Sequence, residues 1–157
     1  MPAPTLEDAI ALAVEAHRGQ RDKAGQTYIL HPLRLMLRQP TEPARMVAVL
    51  HDVVEDTPYT LQRLRELGYP EEVLGALDCL TKREGETYEA FIERIRPHAL
   101  ARQVKLTDLE DNMDVRRLPA LTAKDAERLT RYRAAWARLQ DGPGDGLPDS
   151  LARRGPE

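Results

Sequence analysis

Cysteine is nearly absent: Cys79 is the one example in 157 residues. That excludes a disulfide framework within the chain and every zinc site built from several thiolates. Aromatic residues make up only 4%, which leaves little surface on which exposed bases could stack. Positive charge is not in excess, since 23 Lys and Arg stand against 26 Asp and Glu for a formal net charge of -3. A nucleic-acid partner is therefore not expected, because such proteins carry a basic surplus. No apolar run approaches the roughly 18 residues that mark a membrane-spanning helix. The opening MPAPTLEDAIALA is acidic where a signal peptide is basic and then apolar. A cytoplasmic protein without a membrane partner is the expectation.

What is present is a mix of 41% hydrophobic and 31% charged residues, suited to one soluble domain of this length. Helical spacing of apolar residues dominates. Thr5 with Asp8 forms a capping-box pattern ahead of the stripe Leu6, Ile10, Ala13 and Val14, which His17 continues. A glycine-containing loop and a short β-like segment at 28–30 follow. His31-Pro32 opens a second helix and Pro40 closes it. A third helix is predicted over 42–55, then others over 60–67, 70–80, 87–96, 98–112 and 123–140. The last is predicted to bury Ala126, Leu129, Tyr132, Trp136 and Leu139. The fold class is all-α, with a domain over 1–140 and a Gly- and Pro-rich flexible tail over 141–157.

The sharpest local feature is LHDVVEDT, residues 50–57. On a helix, His51 and Glu55 are four apart, as are Asp52 and Asp56, so one side gathers an imidazole and three carboxylates. Like charges that close raise one another's pKa unless a cation neutralises them. A helix C-terminus is also the wrong end for carboxylates. A bound metal reverses both penalties. His31 is the best second imidazole, although a capping or core role is open to it. Asp108 lies on the face of the apolar Val104, and burial there is costly unless the carboxylate is paired or ligated. Glu110, Asp111 and Asp114 read more simply as solvated charges or as partners of Arg116 and Arg117. Two His and two Asp make a mixed nitrogen and oxygen shell suited to Mn, Fe, Zn or Mg. His98 is expected at the surface, Cys79 in the core, and His17 as a hydrogen-bonded histidine supporting the fold or the site. Tyr28 suits either the pocket or the core.

His31, the His51-Asp52 doublet and Asp108 resemble the H…HD…D signature of the HD-domain phosphohydrolases. Four blocks in order, 16–32, 48–57, 80–88 and 104–118, resemble the hydrolase domain of RelA/SpoT proteins and the small stand-alone hydrolases of that family, the metazoan type included. The likeness covers about residues 5–140. It implies an HD-domain helical bundle in which His31, His51, Asp52 and Asp108 hold one Mn²⁺. It further implies hydrolysis of the 3′-pyrophosphate of ppGpp or pppGpp, a reaction of the stringent response. By position, Glu55 and Asp56 match the family's catalytic acidic pair, while Lys23 and Asn112 match its substrate contacts. Lys82 and Arg83 could add positive charge against a polyphosphate, or stand in a solvated loop. Two departures subtract positive charge near the expected substrate: Asp22 stands where a basic residue is usual, and Asp114 where an arginine is usual. The same chemistry on another phosphorylated nucleotide (a nucleoside monophosphate or NADPH) stays open, as does a sensor that binds nucleotide without cleaving it.

Overall fold

A computed structural model of the chain describes residues 2–142. The expected tail lies, from residue 143 on, outside the described residues. The elements are α1 (Leu6–Ala16), α2 (Leu30–Leu37), α3 (Glu42–Leu50), α4 (Val53–Asp56), α5 (Leu61–Glu66), α6 (Glu71–Leu80), α7 (Tyr88–Ile95), α8 (Ala99–Asn112), a 3-10 turn (Val115–Arg117) and α9 (Ala123–Gln140). Among the described residues there is no strand; a single isolated bridge joins Arg21 and Thr27. None of these helices is long and apolar enough to cross a membrane.

Threonine sets most of the helix starts. Thr5, Thr41, Thr60, Thr87 and Thr122 each accept an amide hydrogen bond from the third residue of the helix they precede. Each such cap stabilises its helix by about 1 kcal/mol. The capping box at Thr5 and Asp8 is present, and a second closes on Thr122 and Asp125. His98 departs from its expected surface role: half-buried, it caps α8 by accepting the Ala101 amide on Nδ1 at 3.2 Å.

The bundle is organised around α3, where Met46, Val47, Ala48, Val49 and Leu50 are all buried in succession. A helix that is apolar all round must be covered all round, and α1, α2, α6 and α8 pack against it. Its C-terminal end is therefore held from several sides, and His51 follows immediately.

Three expectations need correction. The predicted helix over 42–55 is broken at His51-Asp52, where the chain turns before α4. The His51 ring accounts for the break: its Nδ1–H donates to the Ala48 carbonyl at 2.7 Å. That carbonyl is the one the Asp52 amide would need to continue the helix. The β-like segment at 28–30 is instead a turn running into α2, with Leu30 N–H on Thr27 and His31 N–H on Tyr28. On α9 the buried residues are Asp125, Ala135 and Leu139; Ala126 is exposed, and Leu129, Tyr132 and Trp136 are half-buried. This helix covers only one edge of the bundle, so its buried stripe is narrower than the apolar pattern suggests.

Candidate functional site

Three separated segments meet beside the end of α3. His31 comes from the first turn of α2, His51 and Asp52 from the break between α3 and α4, and Asp108 from the third turn of α8. His31, His51 and Asp108 are buried, and each offers an atom within 4.8 Å of the others. His31 Nε2 stands 2.9 Å from Asp108 Oδ1, and His51 Nε2 stands 3.5 Å from that same oxygen. Asp52 is half-buried beside them, its Oδ2 3.0 Å from His51 Nε2. Tyr28 donates its hydroxyl to that Asp52 oxygen.

The hydrogen bonds determine which face each imidazole shows. His51 Nδ1 is committed to the Ala48 carbonyl, and His31 Nδ1 lies 2.6 Å from Asp111 Oδ2. Both Nε2 atoms therefore point into the cluster as lone pairs or as proton carriers. His51 Nε2 is fully enclosed and has no hydrogen bond of acceptable geometry. An acceptor nitrogen among carboxylate oxygens is a repulsive arrangement unless something positive sits between them. Burial works against a charged His51, yet Asp52 and Asp108 outweigh it and hold the imidazolium well above its ordinary pKa. Burial likewise works against ionised Asp108, but Lys105 and the two imidazoles hold its carboxyl well below the usual range. The site prefers bound positive charge, and a donor set of imidazole nitrogens and carboxylate oxygens suits a divalent transition metal.

The acidic pair is placed differently from the ligands. Asp56 and Asp52 line a cavity of about 370 Å³ together with Tyr28, His31, Lys23 and Asn112. Glu55, exposed like Asp56, does not line it. Desolvation by the surrounding protein, followed by the charges of Asp52 and Asp56, pushes the Glu55 carboxyl above its ordinary pKa. Asp56 is raised by the same desolvation and by Asp52. Basic side chains line the cavity too: Lys23 stands near Arg128, and burial followed by that arginine lowers the ammonium's pKa. Asn112 donates to Asp108 Oδ1 at 3.1 Å, so its amide spans the cluster and the cavity.

Lys82 and Arg83 are not brought to this cavity. They are exposed in the loop between α6 and α7, with Arg83 3.8 Å from Asp78. The two departures that remove positive charge are engaged locally. Asp22 Oδ1 accepts the amides of Ala24 and Gln26, each at 2.9 Å. Asp114 caps the 3-10 turn and pairs with Arg116 at 2.7 Å. Of the two readings of Asp111, pairing with Arg117 is seen at 3.5 Å and the solvated charge is corrected: it is buried and paired with Arg34 at 2.8 Å as well as with His31. Its spacing was the available signal, because Val104, Asp108 and Asp111 repeat at i+4 and i+7 on one helix face. Arg34, Arg117 and Arg128 also line the cavity. Nothing in the local sequence pattern distinguishes them from other arginines. His17 is buried and hydrogen-bonded as expected: its Nδ1 meets Gln20 Oε1 at 2.8 Å, and Gln20 in turn donates to the Asp56 carbonyl at 3.2 Å.

No family model matches the chain. It is 36% identical over 117 residues to a guanosine-3′,5′-bis(diphosphate) 3′-pyrophosphohydrolase of Haemophilus influenzae, an alignment spanning 65% of this chain and 17% of that protein. It is 34% identical over 142 residues to the bifunctional (p)ppGpp synthase/hydrolase SpoT of Escherichia coli, spanning 80% and 20%. A Streptomyces coelicolor relative that is 36% identical over 121 residues, spanning 69% of this chain and 14% of that protein, is named GTP pyrophosphokinase. The chain thus spans a fifth or less of the length of these curated relatives. Among solved structures, one described as a metazoan ortholog of SpoT that hydrolyzes ppGpp superposes with a TM-score of 0.73 at 23% identity, covering 90% of this chain and 88% of that one. That likeness establishes the helical fold of the HD-domain type.

Proposed function

Because the chain is a relative of the RelA/SpoT-type hydrolases, we propose that it removes the 3′-pyrophosphate from guanosine polyphosphates, giving GDP or GTP and pyrophosphate. The functional unit is residues 1–140, with 141–157 outside it, and the cytoplasm is its place of action. The observation that carries this reading is the enclosed cluster of His31, His51 and Asp108, with Asp52 beside it, bordering a cavity that both carboxylates and basic side chains line.

His31, His51, Asp52 and Asp108 would hold one divalent cation, for which Mn²⁺ is the choice. When bound there, the cation activates water as a nucleophile near neutral pH and offsets charge on the phosphoryl oxygens. The remaining work falls to the chain. Tyr28 orients Asp52 through its hydroxyl. Lys23 and Arg128, on the cavity wall, attract the anionic substrate. Asn112, anchored on Asp108, presents its amide to the nucleotide. Glu55 and Asp56, with pKa values above the ordinary range, are suited to position a water and take its proton, then return one to the leaving 3′-oxygen.

Product analysis tests the proposal. Pure chain supplied with Mn²⁺ and ppGpp is expected to release GDP and pyrophosphate in equal amounts. Orthophosphate as the only product, from ppGpp or from a panel containing NADPH and nucleoside monophosphates, would assign the same chemistry to a different phosphate ester. Binding of ppGpp without turnover would make the chain a sensor.

A further inference from the structure

Asp111 has no counterpart among the residues assigned so far, yet it is one of the most constrained side chains in the molecule. It lies on α8 one turn beyond Asp108, buried between α8 and α2. Its Oδ2 receives His31 Nδ1 at 2.6 Å. Arg34 grips it with two nitrogens, Nε on Oδ1 at 2.8 Å and Nη2 on Oδ2 at 2.9 Å. Arg117 stands 3.5 Å from the carboxylate and donates to the Asp111 carbonyl at 3.2 Å. Both arginines also line the cavity.

An Asp–Arg pair alone would tie α2 to α8 with no need of the imidazole. The 2.6 Å contact to His31 Nδ1 adds a distinct effect. It commits that nitrogen as a donor and turns Nε2 toward Asp108. It also places a carboxylate behind the ring, which makes the imidazole a stronger electron donor. His51 is oriented through the same ring nitrogen, but by the neutral Ala48 carbonyl. The two imidazoles therefore differ in what stands behind them.

We propose that Asp111 is a positioning residue for the cation site, orienting His31 and strengthening it as a ligand, with Arg34 and Arg117 holding Asp111 in place from the cavity wall. The inference rests on the metal-dependent reading above.

The test is Zn²⁺ affinity of the full chain by competition with a chromophoric chelator, combined with ¹⁵N NMR of the histidine rings in the zinc-loaded protein. D111A is expected to weaken Zn²⁺ binding by about 10–100-fold, the usual effect of removing such a partner, and to abolish the hydrogen-bonded Nδ1–H signal of His31. D111N, which keeps an acceptor but loses the charge, is expected to fall between D111A and the unmodified chain. If D111A does not fold, the D111N comparison carries the test alone. Unchanged affinity with the His31 signal intact overturns the proposal. Loss of binding in H51A without loss in either Asp111 variant overturns it too, while leaving the cation site standing. No Zn²⁺ binding by the unmodified chain overturns both readings.

Discussion

Two charged segments of this chain look alike as text and behave oppositely as structure. Residues 50–57 (LHDVVEDT) and 80–88 (LTKREGETY) each crowd ionisable groups into a short stretch. In the second, charges meet their opposites. Arg94 reaches from α7 to hold Glu86 at 2.9 and 3.0 Å, and also caps the Thr81 and Asp78 carbonyls at 2.9 and 3.1 Å. Gly85, with φ of 73°, supplies the left-handed turn that lets the loop fold back on itself. That segment is held by its neighbours in the fold, with Arg94 at the centre. In the first, Asp52, Asp56 and Glu55 face one another, and His51 presents an enclosed nitrogen with no hydrogen-bond partner. Carboxylates gathered this closely repel one another unless a further positive component offsets them. The contrast separates a structural charge cluster from one prepared for a ligand, and it can be broken from either side.

The largest effects belong to the uncompensated segment. H51A and D108A are expected to abolish pyrophosphate release from ppGpp, measured by coupled assay, because each removes an atom of the cation site. E55Q and D56N keep the cation site and should bind metal like the unmodified chain. Whichever of the two manages the proton should lose about 10²–10⁴ in kcat, so steady-state kinetics on the pair identifies it.

Effects on the paired segment should appear in stability and not in chemistry. R94M removes four hydrogen bonds that staple the loop to α7 and is expected to lower the thermal midpoint by about 3–6 °C, with kcat unchanged below the transition. The pH dependence follows from Glu86, whose carboxyl is held at about 2 by Arg94 and by the Arg83 amide. Its folded pKa lies below its ordinary 4.5. The stabilisation is therefore fully present above that value and is lost as the pH falls toward about 2. The gap in thermal midpoint between R94M and the unmodified chain should stay constant above about pH 5 and narrow in acid. The smallest effect is expected from K82A with R83A: less than a twofold change in KM for ppGpp, against a clear rise in K23A. A large rise from the loop pair would join the two segments into one site.

Much of this architecture was legible from the residues. Thr5 announced a helix start because the mechanism of a cap is local: a hydroxyl and an amide three residues on. Asp108 was legible because it followed the apolar Val104 on a helix that had to bury that face. The break at His51-Asp52 was not. Apolar spacing runs through it without interruption, and its cause is a ring nitrogen competing for one carbonyl. Asp111 was hidden for a different reason. Its spacing from Val104 and Asp108 puts it on the buried face, but spacing does not name partners, and only the rotation of α8 against α2 decides that Asp111 meets His31 and Arg34 while Asn112 meets the cavity. Lys82 and Arg83 misled in the opposite direction, because a basic pair in a loop does not report which way the loop faces.

The central claim is that the cluster of His31, His51, Asp52 and Asp108 is a cation site on which hydrolysis depends. The most direct measurement is turnover of ppGpp by the chain stripped with a chelator, before and after stepwise return of Mn²⁺. Activity should vanish on stripping and return in proportion to bound metal, saturating at one ion per chain, with no recovery in H51A. Full activity in the stripped chain would contradict the account.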